Sequence, residues 1–263
     1  MTPTLLMIPK PNPYPLVRLG GDSDGSYLLP MDLQDIDACI SPGVNSYKYF
    51  EDDLAKFGIK SYMCDYSVDV EDLSTPLIEG MQVFEKKWLD IFGNQNDISL
   101  QELITKYIPD ESKDLILQMD IEGAEYRNIL HTIQSTMNRF RIIIVEVHYI
   151  RDGDLWTTPL MILPEKVSDL FKSFLLKMDE THICVHAHPN NAGGEFLDKE
   201  TGLNVPNIIE LTYLRRDRFT GDPTSYYKPQ LPHPLDVDNC KEYSPLIFNY
   251  KWRELSSKYT IPE

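Results

Sequence analysis

The chain is poor in cysteine, in basic residues and in glycine, and each shortage weighs against a class of function. Cys39, Cys64, Cys184 and Cys240 are the four cysteines in 263 residues, and none lies close to another in the sequence. Zinc sites use cysteine pairs a few residues apart, so a thiolate zinc centre is not expected. Sparse, unpaired thiols instead read as reduced cysteines in a cytoplasmic protein. Lys and Arg number 25 against 41 Asp and Glu, a formal charge of −16. A nucleic-acid binder needs a basic stripe to neutralise phosphates, and a protein held on anionic lipid needs the same. Neither partner is expected here. No apolar run approaches the ~20 residues of a membrane-spanning helix. Lys10 is the only early cation and no small-residue cleavage site follows, so the start does not read as a signal peptide. The 13 glycines include no Gly-x-Gly-x-x-Gly run, the loop that cradles a dinucleotide pyrophosphate.

What is present suits a packed core. Hydrophobic residues are 42% and aromatics 11%, too apolar for a disordered chain. No linker interrupts the chain, so a single large α/β domain is expected. Residues 1–35 read as an N-terminal extension, 36–221 as the core and 222–263 as a surface-wrapping tail. Pro3, Pro9, Pro11, Pro13 and Pro15 argue that the start runs extended over the surface. An abrupt proline-rich start also fits one domain of a larger chain. A Gly/Asp turn at 20–26 separates two short extended pieces. Strand patterns follow at 36–41, 59–64, 115–119, 141–149, 183–188 and 208–214. Residues 83–92 fit strand or helix. Helical patterns occupy 47–57, 99–107, 123–137 and 164–177; Gly58 closes the first, and Ser99 with Glu102 forms a capping box for the second. Alternating strands and helices predict a doubly wound, mostly parallel Rossmann-like sheet, which binds ligands beyond the carboxyl ends of its strands.

The strand ends therefore carry the functional reading. The first strand runs into Pro42-Gly43-Val44-Asn45-Ser46, a loop before a helix where Gly43, Asn45 and Ser46 are placed to meet a cofactor. The second ends at Asp65, followed by Tyr66, where an acid can accept both hydroxyls of a ribose. With no pyrophosphate loop, a ligand with a ribose but no phosphate fits, and S-adenosylmethionine is such a ligand. Asp97 either caps the next helix or accepts from an adenine amine. The strand at 115–119 leads into Asp120, Glu122 and Glu125. Asp120 is expected to line the pocket and Glu122 to share its face, while Glu125 sits in a first helical turn where the dipole favours it. Glu146 and His148 leave the next strand on one face, as His186 and His188 leave the following one, with Asn190 beyond. Asp24, Glu122, His186, His188 and Asn190 suit a polar, hydroxylated acceptor. Asp120, Glu146, His148 and His186 are the ligands a divalent metal would use if one is bound.

Leu117-Gln118-Met119-Asp120-Ile121-Glu122-Gly123-Ala124-Glu125 closely resembles the Asp-x-Glu-Gly-Ala-Glu signature of FkbM-type S-adenosylmethionine-dependent methyltransferases. Arg18-Leu19-Gly20-Gly21-Asp22-Ser23-Asp24-Gly25-Ser26-Tyr27 resembles the opening of a related methyltransferase-like branch. Residues 185–191, 208–213 and 234–236 resemble that branch's C-terminal part, so the likeness spans about residues 16–240. It implies a class I methyltransferase fold of seven strands with the last antiparallel. It implies that Gly43 and Asn45 face the methionine end of S-adenosylmethionine and Asp65 its ribose. It also implies O-methylation of a sugar hydroxyl in a glycan or glycoconjugate. Ser26 departs from the pattern, where the branch has a second glycine, and so does the single glycine of the 41–46 loop.

The resulting expectation is in-line attack of a hydroxyl on the methyl group. His148 or Asp120 acts as base and Glu146 orients the acceptor or the histidine. In the metal-assisted variant a divalent ion acidifies the hydroxyl instead. Two other readings stand beside it: a non-catalytic binding module on the same fold, and a nucleotide-dependent oxidoreductase. Oligomeric state is left open, with Tyr226, Tyr227 and Tyr243 of the tail available to pack on a partner.

Overall fold

The structure is a computed structural model describing residues 2–22, 24–148 and 167–258. Its central sheet has seven strands: β1 (Ile36–Pro42), β2 (Lys60–Cys64), β3 (Gln82–Glu85), β4 (Asp114–Met119), β5 (Phe140–Val147), β6 (His182–Pro189) and β7 (Ile209–Arg215). They lie in the order β3-β2-β1-β4-β5-β7-β6. β1 to β5 are parallel, and β7 is inserted antiparallel between β5 and β6. This is the doubly wound Rossmann-like sheet expected from the alternation, and its last strand has the reversed direction that the resemblance implies. The strand order turns back between β1 and β4, so a crevice opens there at the carboxyl ends.

The periodicity of the strands builds two cores. Ala38, Ile40, Leu115, Leu117, Met119, Ile143 and Val145 point to one face, while Cys39, Ile116, Ile142 and Ile144 point to the other. Both faces are apolar because helices cover both, which is why β5 is buried along its whole length. The first face packs under helices α2 (Leu100–Tyr107), α3 (Glu125–His131) and α4 (Val167–Asp179). The second packs under α1 (Tyr49–Lys56) and the N-terminal hairpin of Leu16–Leu19 and Tyr27–Pro30. Ser99 and Glu102 form the expected reciprocal cap of α2.

Several expectations change. Pro3–Met7 is a short 3-10 helix rather than an extended surface run, because Pro3 at its start needs no amide donor there. Met7 and Ile8 behind it are fully buried in the first core. The tail also does more than wrap the surface. Trp252, in a closing helix at Tyr250–Lys258, is fully buried, stacks on Phe248 at 3.9 Å and donates to the Asn204 carbonyl. The single helix expected over 123–137 is two, broken where Thr132 turns extended and its hydroxyl donates to the Asn128 carbonyl. The 83–92 stretch is strand at its start, within β3, and extended again at Trp88–Leu89. The last residue of the expected 141–149 strand and the start of the 164–177 helix fall outside the described residues. No described helix is long and apolar enough to cross a membrane.

His182, at the amino end of β6, is fully buried; its Nε2 is 2.8 Å from the Phe140 carbonyl and its Nδ1 2.7 Å from the Thr181 hydroxyl. The neutral ring satisfies both, and burial holds its pKa down at about 4. The unfolded chain binds that proton near pH 6.5, so stability is highest above that pH and falls as the pH drops towards 4. Urea unfolding across this range should show a loss of up to about 3 kcal/mol that His182→Gln removes. An unchanged slope in that variant contradicts the assignment.

Candidate active site

A cleft of about 580 Å³ opens at the switch point. Its walls come from the loops after β1, β2 and β4, the segment after β3, and the turn of the N-terminal hairpin. Gly43, Asn45, Asp65, Asp120, Glu122 and Asp24 all line it, as do the unanticipated Lys87, Trp88, Asp90 and Arg127.

The loop after β1 is shaped by backbone contact. Gly43 has φ +83°, and a Cβ there would lie 1.6 Å from the Asp120 carbonyl oxygen. The glycine is therefore required by the end of β4, where sequence reasoning offered only close approach of a ligand. Gly43 donates its amide to the Cys64 carbonyl at 2.9 Å. Asn45, at φ +49°, donates its amide to Asp65 Oδ2 at 2.8 Å. Asp65 Oδ1 accepts from the amide and hydroxyl of Ser67. One carboxylate thus ties the β1 and β2 loops together while still lining the cleft.

Beneath that loop runs a buried polar chain. Gln118 Nε2 donates to the Tyr27 hydroxyl at 3.1 Å, and its Oε1 accepts from Ser41 at 2.7 Å. Ser41 has a single proton, yet its oxygen also bonds Glu51. The chain closes if Glu51 is protonated and donates to Ser41. Burial raises the Glu51 pKa to about 7, which supplies that form. The folded state then holds a proton that the unfolded chain releases near pH 4.5. This contribution to stability is complete below pH 4.5 and lost as the pH rises through 7. Glu51→Gln should match the native chain at pH 5 and exceed it at pH 8 by up to about 3 kcal/mol in chemical unfolding. Equal stability at both values would contradict the protonated chain.

His148, Glu146 and Glu125 are not in the lining; behind Asp120 and Glu122, which are, His148 is surrounded by carboxylates. Its Nδ1 is 3.2 Å from Glu125 Oε1, and its Nε2 is 3.7 Å from Asp120, 3.6 Å from Glu122 and 3.6 Å from Glu146. Glu125 is fully buried and accepts the amides of Ile121 and Gly123. It is more than a dipole-favoured first-turn acid: it holds the imidazole. Glu122 reaches its position through φ +55°, next to Gly123 at +97°. Burial opposes charge on His148, but Glu125, then Asp120 and Glu146, outweigh it and raise its pKa. Burial, with its acidic neighbours, raises Asp120 and Glu146 as well. Asn190 donates to Glu146 Oε1 at 2.8 Å, so the expected acceptor residue here holds a carboxylate.

The remaining expected residues lie elsewhere. His186 and His188 flank Asp236 of the tail at 3.0 and 3.6 Å, so His186 does not join Asp120, Glu146 and His148 as a fourth ligand. The inserted β7 separates β6 from β5 and carries Glu210, paired in register with Glu146 on one side and His188 on the other. Glu210 accepts from Asn239, which also donates to Asp24. Tyr66 is outside the lining and packs against Trp88 at 5.5 Å. Asp97 is outside it too and accepts from the amide and side chain of Asn94. Ser46 is also not in the lining; its amide donates to the Asn45 side chain.

Sequence reasoning missed Glu210, Asp236 as a partner of the histidines, and the Asp90–Arg127 pair, joined by bonds of 2.8 and 2.6 Å. Glu210 had a signal, being the one charged residue in the apolar run 208–214. Asp236 lay in the 234–236 stretch of the resemblance, which gave it no role, and Asp90 had nothing that separates it from ordinary loop acids.

No family model matches the chain, and no curated protein matches it. Among solved structures it is similar to the 16S rRNA (adenine(1408)-N(1))-methyltransferase from Catenulisporales acidiphilia, solved as a mutant with the cosubstrate SAM. The identity is 11%, with 76% of this chain and 97% of that chain covered and a TM-score of 0.33. A likeness of that size does not bear on what this chain does.

Proposed function

We propose that the protein is an S-adenosylmethionine-dependent O-methyltransferase acting on a hydroxyl of a sugar-like acceptor. The observation that carries this reading is the pairing of two features at one cleft: the Asp65-tied loop, and Asp120, the lining carboxylate that stands against the buried His148 and Glu146 behind it. The charge of the cleft supports it. Asp24, Asp65, Asp90, Asp120 and Glu122 face it against Lys87 and Arg127, and Arg127 is already paired with Asp90. Such a lining favours a sulfonium cation and repels a pyrophosphate, which weighs against the oxidoreductase reading.

In the proposed reaction the acceptor oxygen attacks the methyl carbon. The new C–O bond forms as the C–S bond breaks, the electron pair stays on sulfur, and the sulfonium becomes a neutral thioether. The hydroxyl proton passes to the centre formed by Asp120, Glu146 and His148. Holding oxygen, carbon and sulfur in line supplies up to about 7–11 kcal/mol in the best oriented cases. Incubation with methyl-labelled S-adenosylmethionine and a panel of glycans tests the reading. Label in an acceptor hydroxyl supports it; label in no glycan while the cofactor binds removes the sugar acceptor.

A further inference from the structure

The geometry points to a divalent-cation site formed by Asp120, which lines the cleft, with the buried Glu146 and His148 behind it. One ligand atom from each lies within 4.8 Å of the other two. His148 Nε2 stands 3.7 Å from Asp120 Oδ1 and 3.6 Å from Glu146 Oε1, beyond a normal hydrogen bond. Two donors that each bind one first-row ion at about 2.1 Å sit roughly 3–4 Å apart. The spacing is that of groups sharing an ion rather than bonding to each other.

Two further observations point the same way. Glu146 Oε2 and Asp120 Oδ1 are buried with no hydrogen-bond partner, and Glu146 is 3% exposed. A carboxylate oxygen in that position is costly unless something satisfies it. The other Glu146 oxygen is fixed by Asn190, which holds the carboxylate in place. The imidazole is also set for ligation. Glu125 backs Nδ1 at 3.2 Å and is itself held by two amides, so Nε2 is directed at the carboxylates. A carboxylate behind a ligating histidine is the usual supporting partner of such a ligand, and Glu125 is a positioning residue in this sense. Glu122 Oε2, 3.6 Å from Nε2 on a largely exposed side chain, stands at the solvent edge of the group.

Two carboxylates and one imidazole are a mixed oxygen and nitrogen set. It suits a first-row ion of the Mn2+ kind better than calcium, which takes oxygen alone, or a thiolate zinc centre. On the methyl-transfer reading, such an ion would acidify the acceptor hydroxyl. The binding inference itself does not rest on that reading.

The test is a Mn2+ titration of the full chain, followed by electron paramagnetic resonance after EDTA treatment, with no cofactor or acceptor present. One Mn2+ per chain is expected. Glu146→Gln should weaken it about tenfold or more, and Glu125→Gln by about 10–100-fold, since it changes only the support of the histidine. Glu79→Gln, an exposed change just before β3, should leave it unchanged. Mn2+ should raise the melting temperature of the native chain and not that of Glu146→Gln; if that variant misfolds by circular dichroism, Glu125→Gln carries the comparison. No binding at millimolar Mn2+, or binding that both variants leave intact, overturns the site. S-adenosylhomocysteine binding by the same EDTA-treated sample shows separately whether the cofactor reading fails.

Discussion

Gly43→Ala is expected to leave little folded protein. The added Cβ would meet the Asp120 carbonyl oxygen at 1.6 Å, its carbonyl carbon at 2.6 Å and Ile121 Cγ2 at 3.1 Å. Two of these atoms are backbone at the end of β4, so no side-chain rotation relieves the clash. The residue also sits at φ +83°, where an L side chain costs about 1–2 kcal/mol by itself. A loss of more than about 4 kcal/mol is expected, in the range reserved for gross steric conflict. Gly58→Ala and Gly80→Ala share the positive φ, but a Cβ there meets nothing within 4 Å. Their loss should stay near the backbone cost alone. Urea unfolding of the three variants separates the two contributions. A Gly43→Ala protein as stable as Gly80→Ala would mean that the β1 loop does not lie against β4 as described.

The second large effect concerns chemistry rather than folding. Asp120→Asn keeps the size of the side chain and removes a cleft-lining carboxyl group that can take a proton or hold an ion. Initial rates of methyl transfer should fall about 10²–10⁴-fold in kcat, with the KM for S-adenosylmethionine changed only a few-fold. Asp65→Ala should do the reverse, raising the cofactor KM more than it lowers kcat, because Asp65 ties together the loops after β1 and β2, which the proposed reading assigns to the cofactor. The fall in kcat is the same whether Asp120 takes the proton or holds an ion, and the Mn2+ titration separates those roles. Asp120→Asn with full kcat would remove the carboxylate centre from the reaction.

The alternation of apolar strands and capped helices made the sheet legible, because a parallel sheet covered on both faces imposes nearly continuous apolar runs such as Ile142–Val145, inside a strand buried along its whole length. The rule that ligands bind beyond the strand ends then located Gly43, Asp65, Asp120 and Glu122 before any coordinates. What it could not give was lateral order. His148 follows β5 and His186 lies in the last half of β6, but β7 enters between these two strands. One inserted strand moves His186 away from Asp120 and onto Asp236. Asp97 failed for a different reason, since an acid near a helix start is used locally, and here it closes the Asn94 turn. Glu125 looked like a first-turn acid because its contact with His148 crosses from the β4 loop to β5, a pairing set by the strand register and not by spacing along the chain.

The proposal that this cleft holds S-adenosylmethionine is tested most directly by calorimetric titration of the full chain with S-adenosylhomocysteine and, separately, with NAD. One molecule of the thioether per chain should bind, weakly or not at all in Asp65→Ala, and NAD should give no heat. Saturable NAD binding with none for the thioether would contradict the account and return the cleft to the oxidoreductase reading.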